Sequence, residues 1–396
     1  MYHRTRKNLT GLKASYLAAG CLAVLGCGEA LAQTAAVFAT GLQNPSKIIL
    51  GPAGTLLVTE AGSTPNSGRV SLVDTSGVRR TLLDALPSGL AAPDMSVDGP
   101  NGLVLSGRTL FVANGEGDSF RNGAKPGQII PNPTGPSSPL FATILQFAFS
   151  TDVDKLGSGF TLTAAQQNTL ADGKPVVLTN SANDTATVQS VTAFRVDRPD
   201  PISIYRNTHL YGLLMSSTQA GQLYVVDAGN NAIWQVDTVT GRTKLLTRFA
   251  PTPNPLAPVG PPVSEAVPTS ITAYGDQLLV SLLSGAPFVP GASRIVLVDP
   301  ATGNATTFIA VLSSAIDIQF RIKQDGSGQW FVLEYSNALT ANPPGPGRLL
   351  AYTNPVGQIL MSNLKGPTSM VLDGSAGTLY LTSRSDGTIV KVNVGQ

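Results

Sequence analysis

The sequence predicts an all-β protein, a six-bladed β-propeller closed by its N-terminal strand. Two observations predict this fold: a short strand motif recurs at nearly regular spacing, and the first segment of the fold resembles a segment near the end. The chain has 396 residues, of which 42% are hydrophobic and 13% are charged, so it has enough apolar sequence for a large core. Its formal net charge is only +2, so the composition does not indicate the basic surface that a nucleic acid partner requires.

A three-residue apolar motif marks the second strand of each predicted blade. Successive copies are 49 to 55 residues apart, except for one step of 113 residues. The six copies are Leu56-Leu57-Val58, Leu110-Phe111-Val112, Leu223-Tyr224-Val225, Leu278-Leu279-Val280, Trp330-Phe331-Val332 and Leu379-Tyr380-Leu381. These runs are short, rich in β-branched and aromatic residues, and bounded by Gly, Pro, Asn and Asp. Four strands in about 50 residues are typical of a propeller blade.

The double-length step leaves room for a seventh blade, but an inserted arm fits its sequence better. Phe141–Phe149 and Val191–Val196 are predicted as the third and fourth strands of blade two. Between them, Thr163-Ala164-Ala165-Gln166 forms a capping box that begins a short helix ending near Gly173. We therefore expect an arm over residues 151–187, on the face opposite the long loops described below.

The two ends of the fold predict ring closure. Residues 37–46 align without a gap to residues 359–368, so the N-terminal strand matches a fourth strand that has no blade before it. The last unit, Pro367 to Val394, has three strands and lacks a fourth. Pairing the two completes a blade and covers two exposed strand edges.

The first 32 residues predict a secretory signal peptide rather than part of the fold. A basic region with Arg4, Arg6 and Lys7 precedes an apolar stretch, and Ala30-Leu31-Ala32 provides the A-x-A pattern for cleavage between Ala32 and Gln33. Two alternatives are a lipid anchor on Cys27, because Val24–Cys27 resembles a lipobox, and an uncleaved membrane anchor. We expect a secreted or periplasmic protein whose single propeller domain covers residues 33–396.

Cleavage there changes the available chemistry. It removes four of the 26 basic residues and one of the 24 acidic ones, which leaves 22 and 23. Both Cys residues and His3 are also removed, so His209 is the only histidine left. This composition excludes a disulfide framework, a Cys nucleophile and a multi-histidine metal site. No later segment is apolar for 18 residues, and we expect a monomer without a transmembrane segment.

One face of the predicted propeller carries the long loops. Loops that join strand two to strand three, and strand four to the next blade, share a face, which we call the loop-rich face. Its long segments are Gly115–Pro139, Pro251–Pro268, Ser284–Ser293 and Ser336–Pro346. Rigid scaffolds present binding groups on such loops, so we expect a ligand there. The alternative is that these loops only tolerate insertions.

Polar residues end the second strand in five of the six blades, with Leu282 as the exception. They are Glu60, Asn114, Asp227, Glu334 and Ser383. We predict that these residues form a ligand site near the propeller axis and that the first four hold Ca²⁺ or Mg²⁺, which prefer oxygen ligands. The alternative is that Asp, Asn and Ser here only form the turns that follow the strands. His209 could serve as a general base, although its neighbours Leu210 and Tyr211 favour a packed strand-edge residue.

Three segments have a distinctive sequence: Asp227–Asn231, the Pro-rich segment 251–262 and Gly285–Ala292. Together they resemble the ScyD/ScyE family, secreted proteins named after the scytonemin pigment cluster. The resemblance covers residues 33–396 and implies an exported propeller, without a known reaction or catalytic residues. The chain departs from the family at His209-Leu210-Tyr211-Gly212, where Asn-Pro-Tyr-Gly is usual, and in the arm after Phe149. More distantly, the repeats are similar to NHL-type and gluconolactonase-like propellers, and the latter bind cations through carboxylates and Asn.

Two functions follow as hypotheses. The first is an exported binding protein that uses its loop-rich face for a protein, a glycan or a small molecule. The second is a lactonase-like hydrolase in which a divalent cation activates water. A base beside the cation would distinguish them, and the candidates are Glu60, Asp227, Asp317, Glu334 and His209.

Overall fold

The computed structural model describes residues 35–124, 128–194, 208–353 and 355–395. Over these ranges the chain forms six sheets of four or five strands, which are the blades of a β-propeller, together with three two-stranded hairpins and a single α-helix. The predicted fold class and the count of six blades are confirmed. The predicted signal peptide and its cleavage position between Ala32 and Gln33 lie outside the described residues. In the ranges given, no helix is both long and apolar enough to span a membrane.

The strands follow the chain blade by blade. After β1 (Ala35–Ala39), blade 1 holds β2 (Pro45–Leu50), β3 (Leu56–Glu60), β4 (Gly68–Val73) and β5 (Arg79–Leu86), with a 3-10 turn at Pro52–Gly54. A hairpin of β6 (Gly89–Ala91) and β7 (Ser96–Asp98) leads to blade 2. Blade 2 begins with β8 (Pro100–Ser106) and β9 (Thr109–Asn114), followed by the hairpin β10 (Phe120–Asn122) and β11 (Ile129–Pro131), and continues with β12 (Thr143–Phe149). The arm contains β13 (Phe160–Thr161), α1 (Ala164–Ala171) and β14 (Val176–Thr179), and β15 (Thr185–Ala193) completes the blade.

The remaining blades are more regular. Blade 3 holds β16 (Leu210–Met215), β17 (Gln222–Asp227), β18 (Ala232–Asp237) and β19 (Thr243–Arg248). The hairpin β20 (Thr252–Pro253) and β21 (Val263–Ser264) precedes blade 4, formed by β22 (Pro268–Tyr274), β23 (Gln277–Leu282), β24 (Ser293–Val298) and β25 (Ala305–Leu312). Blade 5 holds β26 (Ala315–Ile322), β27 (Gly328–Glu334), β28 (Gly347–Tyr352) and β29 (Gln358–Leu364), and β30 (Pro367–Asp373), β31 (Thr378–Ser383) and β32 (Thr388–Asn393) belong to blade 6.

The predicted ring closure is confirmed. Strand β1 pairs antiparallel with β32, with Ala35 opposite Val392 and Val37 opposite Val390. Ala39 is buried in a cluster that spans blades 6 and 1, whereas the side chain of Val37 is exposed. The first strand of the fold thus becomes the outer strand of the last blade.

The arm differs from its predicted position. The fourth strand of blade 2 begins at Thr185 rather than at Val191, and β14 adds a fifth strand outside it. Strand β13 runs parallel to β5, so the arm rises along the outer edge of blade 1 towards the loop-rich face. There the buried side chain of Gln167 in α1 donates to Ala85 O (2.9 Å) and accepts from Ser138 Oγ (2.6 Å). The prediction that the arm lies on the opposite face is wrong. The strand order determines on which face an insertion begins and ends, but not where the residues between these points pack.

The blades are joined near the axis by polar side chains. Hydroxyl groups reach backbone oxygens of the neighbouring blade, as Thr59 does to Asn101 O and Thr368 does to Pro45 O, both at 2.8 Å. Lys47 of blade 1 reaches across blade 6 to Asp317 of blade 5, with Nζ 2.8 Å from Oδ2. The same Asp317 oxygen accepts from Ser369 Oγ at 2.7 Å. These contacts link the three blades that meet at the closure.

Candidate functional site

Two of the predicted site residues, Glu60 and Glu334, are fully buried and paired with arginines of their own blades. Arg69 Nη2 lies 2.7 Å from Glu60 Oε2, and Arg348 Nη2 lies 2.5 Å from Glu334 Oε2. Backbone N–H groups add a further hydrogen bond to each carboxylate, from Gln43 in blade 1 and from Ser313 in blade 5. Both carboxylates therefore have the partners that a buried charge needs.

The other predicted site residues also bond within their own blades. Asn114 donates to Leu140 O (3.3 Å) and Ser383 donates to Lys365 O (2.8 Å). Asp227 accepts from the backbone N–H of His209 (3.0 Å) and from the side chain of Asn230 (2.9 Å). Burial raises the pKa of Asp227, although these hydrogen bonds act in the opposite direction.

These residues do not suit a single cation site. Within the described ranges, no three or more His, Cys, Asp and Glu side chains form a group that could hold a metal ion. Glu60, Asp227 and Glu334 are thus not brought together, and two of them are bound by arginines instead. The prediction of Ca²⁺ or Mg²⁺ at Glu60, Asn114, Asp227 and Glu334 gains no support from this geometry.

A different group of residues meets on the loop-rich face, which we call the His209 cluster: Asp98, Asn101, Glu116 and His209. His209 Nε2 lies 3.2 Å from Asp98 Oδ1, and the side chain of Asn101 donates to the same oxygen at 2.8 Å. The imidazole is 26% exposed, whereas the Asp98 side chain is 8% exposed. The cluster therefore presents His209 to solvent and holds its counter-ion behind it.

Local chain geometry explains how these residues meet. Asp98 ends the β6–β7 hairpin between blades 1 and 2, Glu116 follows β9, and His209 directly precedes β16. The loop after β9 wraps closely around Asp98, because Gly117 N donates to Asp98 Oδ2 at 2.8 Å. A Cβ atom on Gly115 would lie 2.2 Å from that same oxygen, so only glycine fits there.

Glu116 contributes a second titratable group to the cluster. Its carboxyl group is buried, and its Oε2 atom has no hydrogen-bond partner in the described part of the chain. Burial raises the pKa of Glu116 to about 8, with contributions from Asp98 and Asp227, although His209 acts against the shift. Near neutral pH this carboxyl group is therefore largely protonated and can donate a hydrogen bond.

The charges of His209 and Asp98 stabilise each other. Burial disfavours the imidazolium form, but the Asp98 carboxylate outweighs it and raises the pKa of His209 to about 9. Burial would raise the pKa of Asp98, but His209, Gly117 N–H and Asn101 lower it to about 2. At pH 7 the pair is an imidazolium and a carboxylate, which suits hydrogen bonding to a polar ligand better than proton abstraction by His209.

Sequence reasoning found only part of this cluster. The sequence offers His209 as a possible general base but favours a packed residue there, and Asp227, which accepts from the backbone N–H of His209, is predicted for the axial site instead. Asp98 and Glu116 were not identified as site residues. Two features of the sequence could have indicated them: Asp98 directly precedes Gly99-Pro100-Asn101, and glycines flank Glu116 on both sides.

Comparison with known proteins supports the fold. No protein-family model and no curated protein sequence matches the chain. Among solved structures, an aldose sugar dehydrogenase from Streptomyces coelicolor in its PQQ-bound form has 13% identity and a TM-score of 0.50, over 91% of this chain and 98% of that one. Virginiamycin B lyase from Staphylococcus aureus has 14% identity and a TM-score of 0.45, over 91% and 98%. The PQQ domain of a pyranose dehydrogenase from Coprinopsis cinerea has 11% identity and a TM-score of 0.46, over 91% and 95%. At 13% identity, the likeness to the aldose sugar dehydrogenase concerns the fold alone.

Proposed function

We propose that this protein is an exported β-propeller that binds a polar ligand on its loop-rich face, at the His209 cluster. The observation that carries the proposal is the ion pair of the partly exposed His209 with the buried Asp98. Burying charged groups costs stability even when they are paired. A buried ion pair that reaches the surface, with shifted pKa values, therefore favours a functional role. The three chain segments that form it come from different loops, as expected of a site on a rigid scaffold.

The cluster indicates the class of ligand. The imidazolium of His209 and the protonated carboxyl group of Glu116 are both hydrogen-bond donors at neutral pH. The positive charge of His209 is already balanced by Asp98, so the site does not require an anionic ligand. A neutral molecule rich in oxygen acceptors, such as a sugar or a sugar lactone, fits this arrangement.

The proposal of export depends on the sequence. The signal-peptide pattern ending at Ala32 supports export, with a lipid anchor at Cys27 as the alternative. The resemblance to the ScyD/ScyE family supports an exported propeller as well. Mass spectrometry of the exported protein tests this proposal. An N-terminus at Gln33 would agree with it, whereas a lipidated Cys27 would show that the protein is anchored to a membrane.

Acid–base catalysis at the same cluster is the second candidate function. Glu116 favours it, because a carboxyl group with a pKa of about 8 can exchange a proton near neutral pH. The metal-dependent lactonase hypothesis has less support, since Glu60 and Glu334 are held by Arg69 and Arg348. A lactone substrate distinguishes all three functions.

The test uses thermal-shift and calorimetric titration with neutral sugars and glucono-1,5-lactone. We expect saturable binding that His209→Gln and Glu116→Gln weaken at least tenfold, while Asp152→Asn, at an exposed ion pair outside the cluster, leaves it unchanged. Lactone opening that depends on Glu116 and resists a chelator would identify the second function. Opening that stops with a chelator would restore the metal hypothesis. Binding that is equal in all variants, or absent for the whole panel, would refute the proposed site.

A further inference from the structure

One arginine of the repeat lacks the carboxylate that its equivalents have. Arg69 faces Glu60 across the β3–β4 pair, and Arg348 faces Glu334 across the β27–β28 pair. Arg294 occupies the same register in blade 4, where Leu282 faces it across the β23–β24 pair. Within the described residues, the guanidinium of Arg294 has no hydrogen-bond or ion-pair partner, and the pKa of Arg294 is lowered by burial alone.

A cavity of about 480 Å³ lies beside this arginine, between the outer parts of blades 3 and 4. Arg294, Arg248 and Leu282 line it, and its remaining polar side chains are Thr247, Thr252, Thr307 and Asn304. Its lining contains no Asp or Glu. Arg248 uses one guanidinium nitrogen to donate to Asn230 O (2.9 Å), and no carboxylate pairs with it in the described part of the chain. The cavity therefore has two positive charges and none that is negative.

We propose that this cavity, the blade 3–4 cavity, binds the carboxylate of a hydroxylated organic acid of sugar size. The ligand carboxylate pairs with Arg294 as Glu60 and Glu334 pair with their arginines in blades 1 and 5. A guanidinium binds a carboxylate with two parallel hydrogen bonds, and Arg248 adds a second positive charge. The threonine and asparagine side chains supply partners for ligand hydroxyl groups, and the volume is that of an ordinary small-molecule site.

This site is independent of the His209 cluster. Its residues belong to β19, β20, β23, β24, β25, the segment between β19 and β20 and the turn before β25, and none is part of the cluster. The two sites also differ in ligand charge, since the cavity requires an anion and the His209 cluster is proposed to bind a neutral molecule. Failure of one proposal therefore leaves the other intact.

The test is titration of the full-length protein with D-glucuronate by calorimetry at low salt. D-glucose is the matched neutral ring, and inorganic phosphate is the competing oxyanion. Arg294→Gln removes the proposed anchor, and Arg242→Gln removes the same charge from an exposed turn outside the cavity. Leu282→Glu restores the carboxylate found in blades 1 and 5 and should occupy Arg294 from within the protein.

We expect saturable glucuronate binding that weakens at least tenfold in both Arg294→Gln and Leu282→Glu and is unchanged in Arg242→Gln. Glucose binding, which belongs to the His209 cluster, should be the same in all three variants. If Leu282→Glu does not fold, Arg294→Gln against Arg242→Gln decides the question. Three results would each overturn the proposal: equal glucuronate affinities in the two arginine variants, glucose binding that Arg294→Gln weakens as much as glucuronate binding, or phosphate binding without glucuronate binding.

Discussion

Arg69 and Glu60 face each other across β3 and β4, with the guanidinium Nη2 2.7 Å from the carboxylate Oε2. Blade 5 repeats the relationship with Arg348 and Glu334. In both blades the carboxylate is fully buried and the arginine only partly exposed. Two of the residues that end a second strand therefore stabilise individual blades, which explains why acidic residues recur there without forming a common site.

The arginine–glutamate pair predicts a specific pattern of stability. Arg348→Met should destabilise the protein by about 3–5 kcal/mol, because it leaves the Glu334 carboxylate buried and unpaired. The double variant Glu334→Met/Arg348→Met should recover most of that loss, since it removes both charges. Urea unfolding of the native protein, both single variants and the double variant measures the coupling. A single variant as stable as the native chain would contradict the structural role of the pair.

Ring closure can be tested with one substitution at two positions of β1. Ala39→Asp places a carboxylate in a buried position and should loosen the pairing of β1 with β32, at a cost of several kcal/mol. Val37→Asp places the same group on the exposed face of the same strand, where surface changes cost about 0.5 kcal/mol or less. Thermal unfolding with size-exclusion chromatography detects both the loss of stability and edge-to-edge association. Equal effects of the two variants would show that β1 does not close the ring.

The arm provides another comparison. Gln167→Ala removes the two hydrogen bonds to Ala85 and Ser138 and should cost about 1–3 kcal/mol, because it leaves buried polar partners unsatisfied. Gln166→Ala, one residue earlier and only half-buried, loses only its part of the capping box and should cost about 1 kcal/mol or less. Thermal unfolding compares the loss of stability in the two variants. A larger loss in Gln166→Ala than in Gln167→Ala would contradict the packing of the helix against the loop-rich face.

The His209 cluster also makes stability depend on pH. The pKa of His209 is raised to about 9, so its contribution is complete below its unfolded pKa of about 6.5 and is lost as the pH rises through 9. The raised pKa of Glu116, about 8, acts in the same direction, since ionisation of this buried carboxyl group destabilises the fold above its unfolded pKa of about 4.5. We expect the melting temperature to fall between pH 6 and pH 9, and to fall less in Glu116→Gln. A fall of the same size in that variant would mean that Glu116 does not contribute.

Much of the fold could be predicted because repetition appears directly in the sequence. The three-residue apolar motifs mark one strand in every blade, and the match of residues 37–46 to 359–368 indicates closure. The arm was placed incorrectly because its packing depends on Phe160, Leu162 and Leu170, which are buried against blades 1 and 2 and have no equivalent in the repeat.

The candidate site was harder to predict than the fold. A shared position, the end of the second strand, was taken to mean a shared site, but side chains there pair with neighbours inside each blade. The residues that meet, Asp98, Glu116 and His209, occupy unrelated positions in three loops. The close approach of Gly115 and Gly117 to Asp98 brings Glu116 into this group, and no periodicity in the sequence reveals such an approach.

The most direct test of the His209 cluster is the pKa of His209 itself, measured by NMR titration. His3 is the only other histidine and belongs to the predicted signal peptide, so the signal of His209 is readily assigned in the processed chain. We predict a pKa of about 9, falling towards the ordinary value of about 6.5 in Asp98→Asn, because the main partner of the imidazolium is then lost. A value near 6.5 in the native protein, unchanged by Asp98→Asn, would contradict the ion pair on which the proposed function depends.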